Sequence, residues 1–388
     1  FKLINDTSGH AAGDQALVEV AKRLTQVVRT NDVVGRLGGD EFVVIAPSVG
    51  TSEVAEQLAG RIIDAVCAPM RIKDSTLSIG VSVGIAISSS DQATAEELLL
   101  DADLALYRSK ERGRRRYEIC DPGLKNDFET RTEVEAALRG ALANDELALH
   151  FQPVVSAETG ETRCLEALVR WVRPDGEIWG PDVFLRIAEQ TALICDLDSW
   201  VIDEAAHQLA RWSDDPAFGP VPVAVNLSAV YMSSGSAAAD IVAALDRHAV
   251  GPERLGIEIN EATLISNEGT VAEQLGLLRA LGVRIAIDDF GTGYASTSVL
   301  RALPVDILKI DQTFVQNLED SVDHSLIRLM TDTAHLLGQL VVAEGVETRT
   351  QAMALRQLGV DRLQGYLFAR PTPPSSLVLP SAEQEQDR

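Results

Sequence analysis

The chain has 388 residues, 46% of them hydrophobic, and a net charge of −24 at pH 7. That length suits two domains with sizeable cores, and the charge argues against nonspecific binding of nucleic-acid polymers. The cysteines (Cys67, Cys120, Cys164, Cys195) show no CxxC spacing and the histidines no HxH or HExxH pattern, so we expect reduced core thiols in a cytoplasmic protein and no histidine-built zinc site.

The segment 12–28 has helical periodicity. Runs 33–37 and 41–46 read as short strands joined by the turn Gly38-Gly39-Asp40. A helix is predicted over 52–66, a β-rich run over 75–88 and a helix over 94–113, where Gly113 is the stop. These elements describe an α+β domain over residues 1–117. Residues 118–128 contain Asp-Pro-Gly, lose periodicity and read as a linker. The second domain is expected over 129–378, opening with a helix at 129–143, and the polar tail 379–388 is expected to be disordered.

The second domain begins with the strand LALHFQPVV (147–155). Seven further apolar runs follow: CLEALVRW (164–171), VPVAVNLS (221–228), LGIEINE (255–261), RIAIDDFG (284–291), DILKID (306–311), LVVAEGVE (340–347) and RLQGYLF (362–368). Helices are predicted between them at 182–191, 199–212, 236–248, 268–281, 321–337 and 348–357. Alternating strands and helices with polar groups at strand ends describe a βα-barrel active site. Only SAETGETR separates the first strand from the second. A parallel crossover needs roughly a dozen residues or more, so these two should form an antiparallel hairpin. The expected α/β fold is a modified TIM-type barrel with a reversed first strand.

Each of the seven runs carries one or two polar groups near its carboxyl end: Glu166, Asn226, Glu258, Asp288 with Asp289, Lys309, Glu344 and Gln364. Carboxylates gathered in one place repel unless cations hold them. Glu166, Asn226, Glu258 and Asp288 offer only hard oxygen ligands, which suit Mg²⁺ or Mn²⁺ rather than zinc. The Asp288-Asp289 pair could serve two cations if the strand end bends so that both side chains face the site. Two such ions can activate a water and clamp a phosphoryl group. Lys309 could hold the attacking water or stabilise charge developing on phosphorus. Glu344 could act as general base or as a further metal-linked carboxylate. The Gly-rich loop DDFGTGYAS (288–296) allows tight turning.

The signatures FQPVV, EALVRW, VNLS, IEINE, DDFGTGYAS, LKIDQTFV, VVAEGVE and QGYLFARP occur in order over residues 130–378. In them the domain resembles the EAL family of cyclic di-GMP phosphodiesterases. The resemblance implies hydrolysis of cyclic di-GMP to linear pGpG with Mg²⁺ or Mn²⁺, two ions in the site. It makes Glu166, Asn226, Glu258, Asp288 and Asp289 metal ligands and puts Lys309 and Glu344 in the network of the catalytic water. Gln364 completes the site, Arg170 matches a phosphate contact and Gln152 lies in the FQP signature as a substrate-side residue. Glu347 matches the second acid of AEGVE. Asn260 stands where the family more often has Thr. The resemblance also implies a homodimer formed through this domain. The other functional readings are a catalytically silent cyclic di-GMP receptor and a net diguanylate cyclase in a longer protein.

In the first domain, FKLINDTSGHAAGDQAL (1–17), RLGGDEF (36–42) and ADLALYRSKERGR (102–114) resemble a GGDEF diguanylate cyclase domain. The resemblance implies a site for GTP and Mg²⁺. Asn5 and Asp14 match guanine-recognition positions, and Gly38, Gly39, Asp40 and Glu41 form the nucleotide turn. Lys110 and Arg114 match terminal-phosphate contacts, within a basic cluster at Arg112–Arg116. Arg29 and Asp32 form the RxxD of a product-inhibition site. The family's acidic segment ends at the position of Phe1, so we expect a fragment that lacks a metal-ligating Asp and does not itself make cyclic di-GMP. Upstream residues would carry an unknown sensor domain and any membrane attachment. No run in the chain reaches the ~18 apolar residues that span a membrane, and no signal peptide is visible.

Overall fold

The computed structural model describes residues 9–47, 49, 51–72, 75–88, 94–191, 193–261, 263, 268–292, 303–318 and 320–380. The chain divides into two compact units, Phe1–Glu133 and Val134–Arg388. Among the described residues no helix is long and apolar enough to cross a membrane.

In the first unit, helix His10–Val27 buries Ala12, Ala16, Val20 and Leu24, a fourfold spacing that makes one apolar stripe. The stripe packs with Ile62 and Val66 of helix Ser52–Cys67. Strands β1 (Val33–Gly38) and β2 (Glu41–Ile45) form an antiparallel hairpin. Its turn needs the left-handed backbone of Gly39, at φ 50°, and the Arg36 guanidinium donates to the Gly39 carbonyl at 2.6 and 3.0 Å. The β-rich run resolves into β3 (Met70–Ile72) paired with β4 (Ser75–Leu77), and β5 (Val83–Ile85) paired with β6 (Tyr117–Ile119). Helix Ala95–Glu111 starts with a capping box between Thr94 and Glu97 and crosses β5 at Gly84, where a Cβ would lie 2.0 Å from the Ala102 carbonyl.

The expected irregular linker over 118–128 is corrected by the structure: its first two residues end strand Tyr117–Ile119, and residues 122–128 are the first turns of helix Pro122–Ala143. The Asp-Pro-Gly sequence is a helix start here. Proline at the first helical position has no N–H to leave unpaired, and Asp121 Oδ1 accepts from the Leu124 N–H at 2.7 Å.

The second unit is the expected barrel. Strands β7 (Leu147–Ser156) and β8 (Thr162–Val172) are joined by a tight turn closed by Gly160 N–H to Ser156 and Ser156 N–H to Glu161. A two-residue strand β9 (Ile178–Trp179), too short to show in sequence periodicity, pairs with the end of β8. Then come β10 (Val223–Leu227), β11 (Leu255–Asn260), β12 (Arg284–Phe290), β13 (Ile307–Ile310), β14 (Leu340–Ala343) and β15 (Arg362–Gln364). The strands β8-β10-β11-β12-β13-β14-β15 run parallel in that order, and β7 closes the ring antiparallel to both β15 and β8. Outward residues such as Ile257, Ile285, Leu308 and Val341 are buried in the apolar core.

Inside the ring the side chains form layers. The upper layer takes one polar group from every strand: Gln152, Glu166, Asn226, Glu258, Asp288, Lys309, Glu344 (directly after β14) and Gln364. Strand side chains alternate, so the layer below should hold the residues two positions away. On the seven parallel strands these are Cys164, Ala224, Gly256, Ala286, Ile307, Val342 and Arg362, each two before its polar partner. On reversed β7 it is Val154, two after Gln152. These eight residues line a single cavity beneath Glu258 and Lys309, which is the arrangement the reversal requires.

Gly365 follows the last strand residue against the Val346 backbone, where a Cβ would meet the carbonyl oxygen at 2.1 Å. Gly365→Ala should cost about 1–3 kcal/mol of stability by overpacking. Gly276→Ala, in helix Glu268–Leu281 with nothing within 4 Å of the new methyl, should instead stabilise by about 0.5–1 kcal/mol. Denaturant midpoints of the two variants check both signs.

Candidate functional site

The centre of the upper layer is Lys309, which is buried on β13. Its Nζ lies 2.6 Å from Glu344 Oε1, 3.2 Å from Asp288 Oδ1 and 3.4 Å from Glu166 Oε2, and it also donates to Glu258 Oε2. Burial disfavours its charge, but the carboxylates outweigh burial and hold Lys309 well above the ordinary lysine range. Glu166 is the second hub. It accepts from Asn226 Nδ2 and Gln364 Nε2, each at 2.6 Å. Burial raises its pKa, yet Lys309 and those amides bring it below the usual carboxylate value. Burial keeps Glu258 well above that value and pushes Glu344 up to about 8. One ammonium therefore does not discharge the group, and two of the carboxyls favour a proton.

The double aspartate solves its geometry through the backbone. The β12–β13 register shifts between Ile287 and Phe290, and Asp289 adopts a left-handed φ of 55°. Both side chains consequently reach one side. Carboxylate atoms of Glu166, Glu258 and Asp288 lie within 4.8 Å of one another, and so do those of Asp288, Asp289 and Glu344. Asp288 belongs to both groups. Burial first, then Asp288 and Asp311, push Asp289 up to about 6. Asn260 Nδ2 donates to Asp289 Oδ2 at 2.8 Å, so this residue supports the bent strand end. All donors in these groups are hard oxygens, which fit Mg²⁺ or Mn²⁺. Gln364 Oε1 is buried without a hydrogen-bond partner among the described residues, a further oxygen free to receive one.

The other expected residues occupy different places. Gln152 is buried, donates to the Ala369 carbonyl at 3.1 Å and accepts from Gln364 Nε2 at 3.1 Å, so it orients the Gln364 amide from below the rim. Arg170 shares the Glu166 face of β8, half-buried, and donates to the Val169 carbonyl at 2.8 Å. Glu347 is exposed, and its backbone N–H donates to Gln351. The loop DDFGTGYAS lies outside the described residues beyond Thr292. In the first unit, Asp14, Arg29, Gly38, Gly39, Asp40, Glu41, Lys110 and Arg114 are exposed. Asp32 Oδ2 accepts from the Arg29 N–H at 2.7 Å, which makes RxxD a tight local turn. Arg114 has a left-handed φ of 60°. Asn5 lies outside the described residues. The two groups of potential ligands found among the described residues both belong to the barrel.

Sequence reasoning missed three acids. Glu261, buried after β11, accepts from the Gly291 N–H at 2.9 Å and fixes the start of the double-aspartate loop. Asp311 caps helix Gln312–Gln316 through the Thr313 N–H at 2.9 Å and faces Asp289. Both end apolar runs already singled out, so the same strand-end signal could have found them. Asp198, buried on helix Leu193–Arg211, accepts from Ser228 N–H at 3.0 Å and Oγ at 2.5 Å and anchors the loop after Asn226. A mid-helix aspartate gives no such signal.

Burial pushes Asp198 up to about 7 from its ordinary 3.8. A carboxyl with a raised folded-state pKa gives stability that is complete below the unfolded value and is lost as pH rises through the folded one. Its contribution should fade between about pH 4 and pH 7. Chelator-treated Asp198→Asn should therefore lose less stability than the parent chain between pH 5 and pH 8. Equal losses in denaturation at those two pH values would remove Asp198 from the account.

Comparison with known proteins agrees with this architecture. The EAL domain model matches residues 135–371, and the Diguanylate cyclase, GGDEF domain model matches residues 1–116. The chain is 39% identical over 381 residues to Signaling protein YkoW of Bacillus subtilis, covering 96% of this chain and 47% of that protein. It is 38% identical over 379 residues to the Bifunctional diguanylate cyclase/cyclic di-GMP phosphodiesterase MucR of Pseudomonas aeruginosa, covering 97% of this chain and 55% of that protein. The chain thus spans about half the length of these relatives. Among solved structures, PaMucR Phosphodiesterase, c-di-GMP complex, matches with a TM-score of 0.61 and 39% identity, over 63% of this chain and 100% of that one. The chain belongs to the EAL domain family, with a GGDEF domain preceding the EAL barrel.

Proposed function

We propose that the barrel hydrolyses cyclic di-GMP to linear pGpG with two Mg²⁺ or Mn²⁺ ions. The observation that carries this reading is the pair of oxygen-ligand groups that share Asp288, ringed by one polar group from every strand. The relatives add to it: one structural neighbour is described as a phosphodiesterase in complex with c-di-GMP. Glu166, Asn226, Glu258, Asp288 and Asp289 would hold the two ions, with Glu344 beside the second group. When bound, such ions polarise phosphoryl oxygens and acidify water. Lys309 then supports the attacking water or the charge on phosphorus. Glu344, beside Lys309 and Asp288, would be placed to take the proton of that water once bound cations have displaced its own. Attack on phosphorus breaks one ester bond to a ribose oxygen, which leaves with a proton and opens the ring. Arg170, on the Glu166 face, contacts the second phosphate.

The GGDEF domain in this reading binds GTP with Mg²⁺ through its exposed turn and basic cluster and regulates the barrel. The active form is a homodimer through the EAL domain. Exposed Val322, Leu326 and Leu329, spaced along one face of helix Ser321–Leu336, support an apolar contact there.

Purified protein with cyclic di-GMP and Mn²⁺ should yield pGpG, resolved by nucleotide chromatography. Glu166→Ala should fall to background while remaining folded by circular dichroism, and a chelator should stop the parent enzyme. Turnover retained in Glu166→Ala would refute the site. Binding of cyclic di-GMP without turnover in the parent chain would make the domain a receptor instead.

A further inference from the structure

The layer beneath the polar ring is apolar on seven strands, and its exception is Arg362 on β15. Arg362 is half-buried at the amino-terminal end of the barrel. Burial and the neighbouring Arg284 guanidinium lower its pKa from the usual arginine value, but arginine stays protonated across the working range. Arg284 stands two residues before Ala286, on the same inward face of β12, and lines the same cavity while remaining exposed to solvent.

Two like charges at one cavity would ordinarily be neutralised by carboxylates. Among the described residues neither Arg284 nor Arg362 forms an ion pair or side-chain hydrogen bond. The charged neighbours are otherwise engaged. Asp361 accepts from Val341 N–H at 2.7 Å and His335 Nε2 at 2.9 Å. Arg163 pairs with Glu161 at 3.0 Å and adds positive charge to the surroundings. Of the two carboxylates at the cavity wall, Glu253 folds back against Gly251 and Glu258 accepts from Lys309. A half-buried cation without a protein partner is costly, and a mobile anion is the remaining way to neutralise it.

The cavity measures about 30 Å³, room for one or two bodies of water size. Much of its wall, including Ala224, Gly256 and Ala286, is apolar, and Glu258 and Lys309 of the polar ring, already paired with each other, close it from above.

We infer that the floor of the barrel, between Arg284 and Arg362, is a binding site for a compact inorganic anion of the size of chloride or bromide. The site adjoins the polar ring from below, where Glu258 and Lys309 line it, but needs neither substrate nor metal. An ion that binds only the folded state stabilises it saturably. Fully exposed arginines would respond to ionic strength alone.

Thermal unfolding of the whole chain at constant ionic strength, with sodium chloride replacing sodium gluconate, tests this. The unfolding midpoint should rise and saturate with chloride, because gluconate is too large for the cavity. Arg362→Met should abolish the response while unfolding no lower than the parent in gluconate, since the unpaired cation is gone. No chloride-specific rise in the parent, or an undiminished rise in Arg362→Met, would overturn the inference. Should that variant fail to fold, bromide-soaked crystals of the parent chain decide. An anomalous peak between the two guanidinium groups supports the site, and water alone there refutes it.

Discussion

A single buried ammonium faces four carboxylates at the mouth of the barrel, and this imbalance governs the rest of the site. Two like charges 4 Å apart repel by roughly 4 kcal/mol at an effective dielectric of about 20. Lys309 contacts Glu166, Glu258, Asp288 and Glu344 together, but it neutralises one charge. Glu258 and Glu344 respond by holding protons, while Glu166 stays ionised through its amide donors. Such a ring is stable without metal only in a partly protonated form. Its ionised form calls for more positive charge, and the clustered oxygens define where that charge belongs.

The backbone enforces the imbalance. Eight strands in a closed ring each point a residue into the same layer, so the sequence cannot spread these acids apart without leaving the fold. The reversal of β7 is part of this. Its short turn to β8 forbids a parallel crossover, and the hairpin delivers Gln152 into the layer from the opposite direction. Gln152 then holds Gln364, which holds Glu166, so the reversed strand steadies the second hub of the network. Support from outside the ring follows the same logic: Glu261 fixes the loop after the double aspartate, and Asp198 fixes the loop after Asn226.

The strand-end residues were legible in the sequence because buried strands are continuous apolar runs, and a polar residue closing such a run stands out. The hairpin was legible from a connection too short to cross over. What was hidden depended on contacts or local conformation. Asp289 shares the site through a left-handed backbone and a register shift, which no periodicity encodes. Asp198 sits mid-helix, where an acid reads as a solvated face. Asp-Pro-Gly reads as a turn until Asp121 is seen to cap a helix with proline at its first position. Arg362 is the first residue of a three-residue strand, and its half-burial follows from ring closure alone. The exposed motif residues of the first unit that the structure describes form only local turns, such as Arg29 with Asp32 and Arg36 with Gly39, which give them no chemical role by geometry.

The most direct measurement of the central claim is the proton balance of metal binding. Titration of the chain with Mn²⁺ in two buffers of different ionisation enthalpy, at pH 7, yields both the number of ions bound and the protons released. The account predicts two ions per chain with net proton release, because Glu258 and Glu344 must give up protons to become ligands or neighbours of cations. Binding with no proton release would contradict it, since the ring would then already be ionised and balanced without metal.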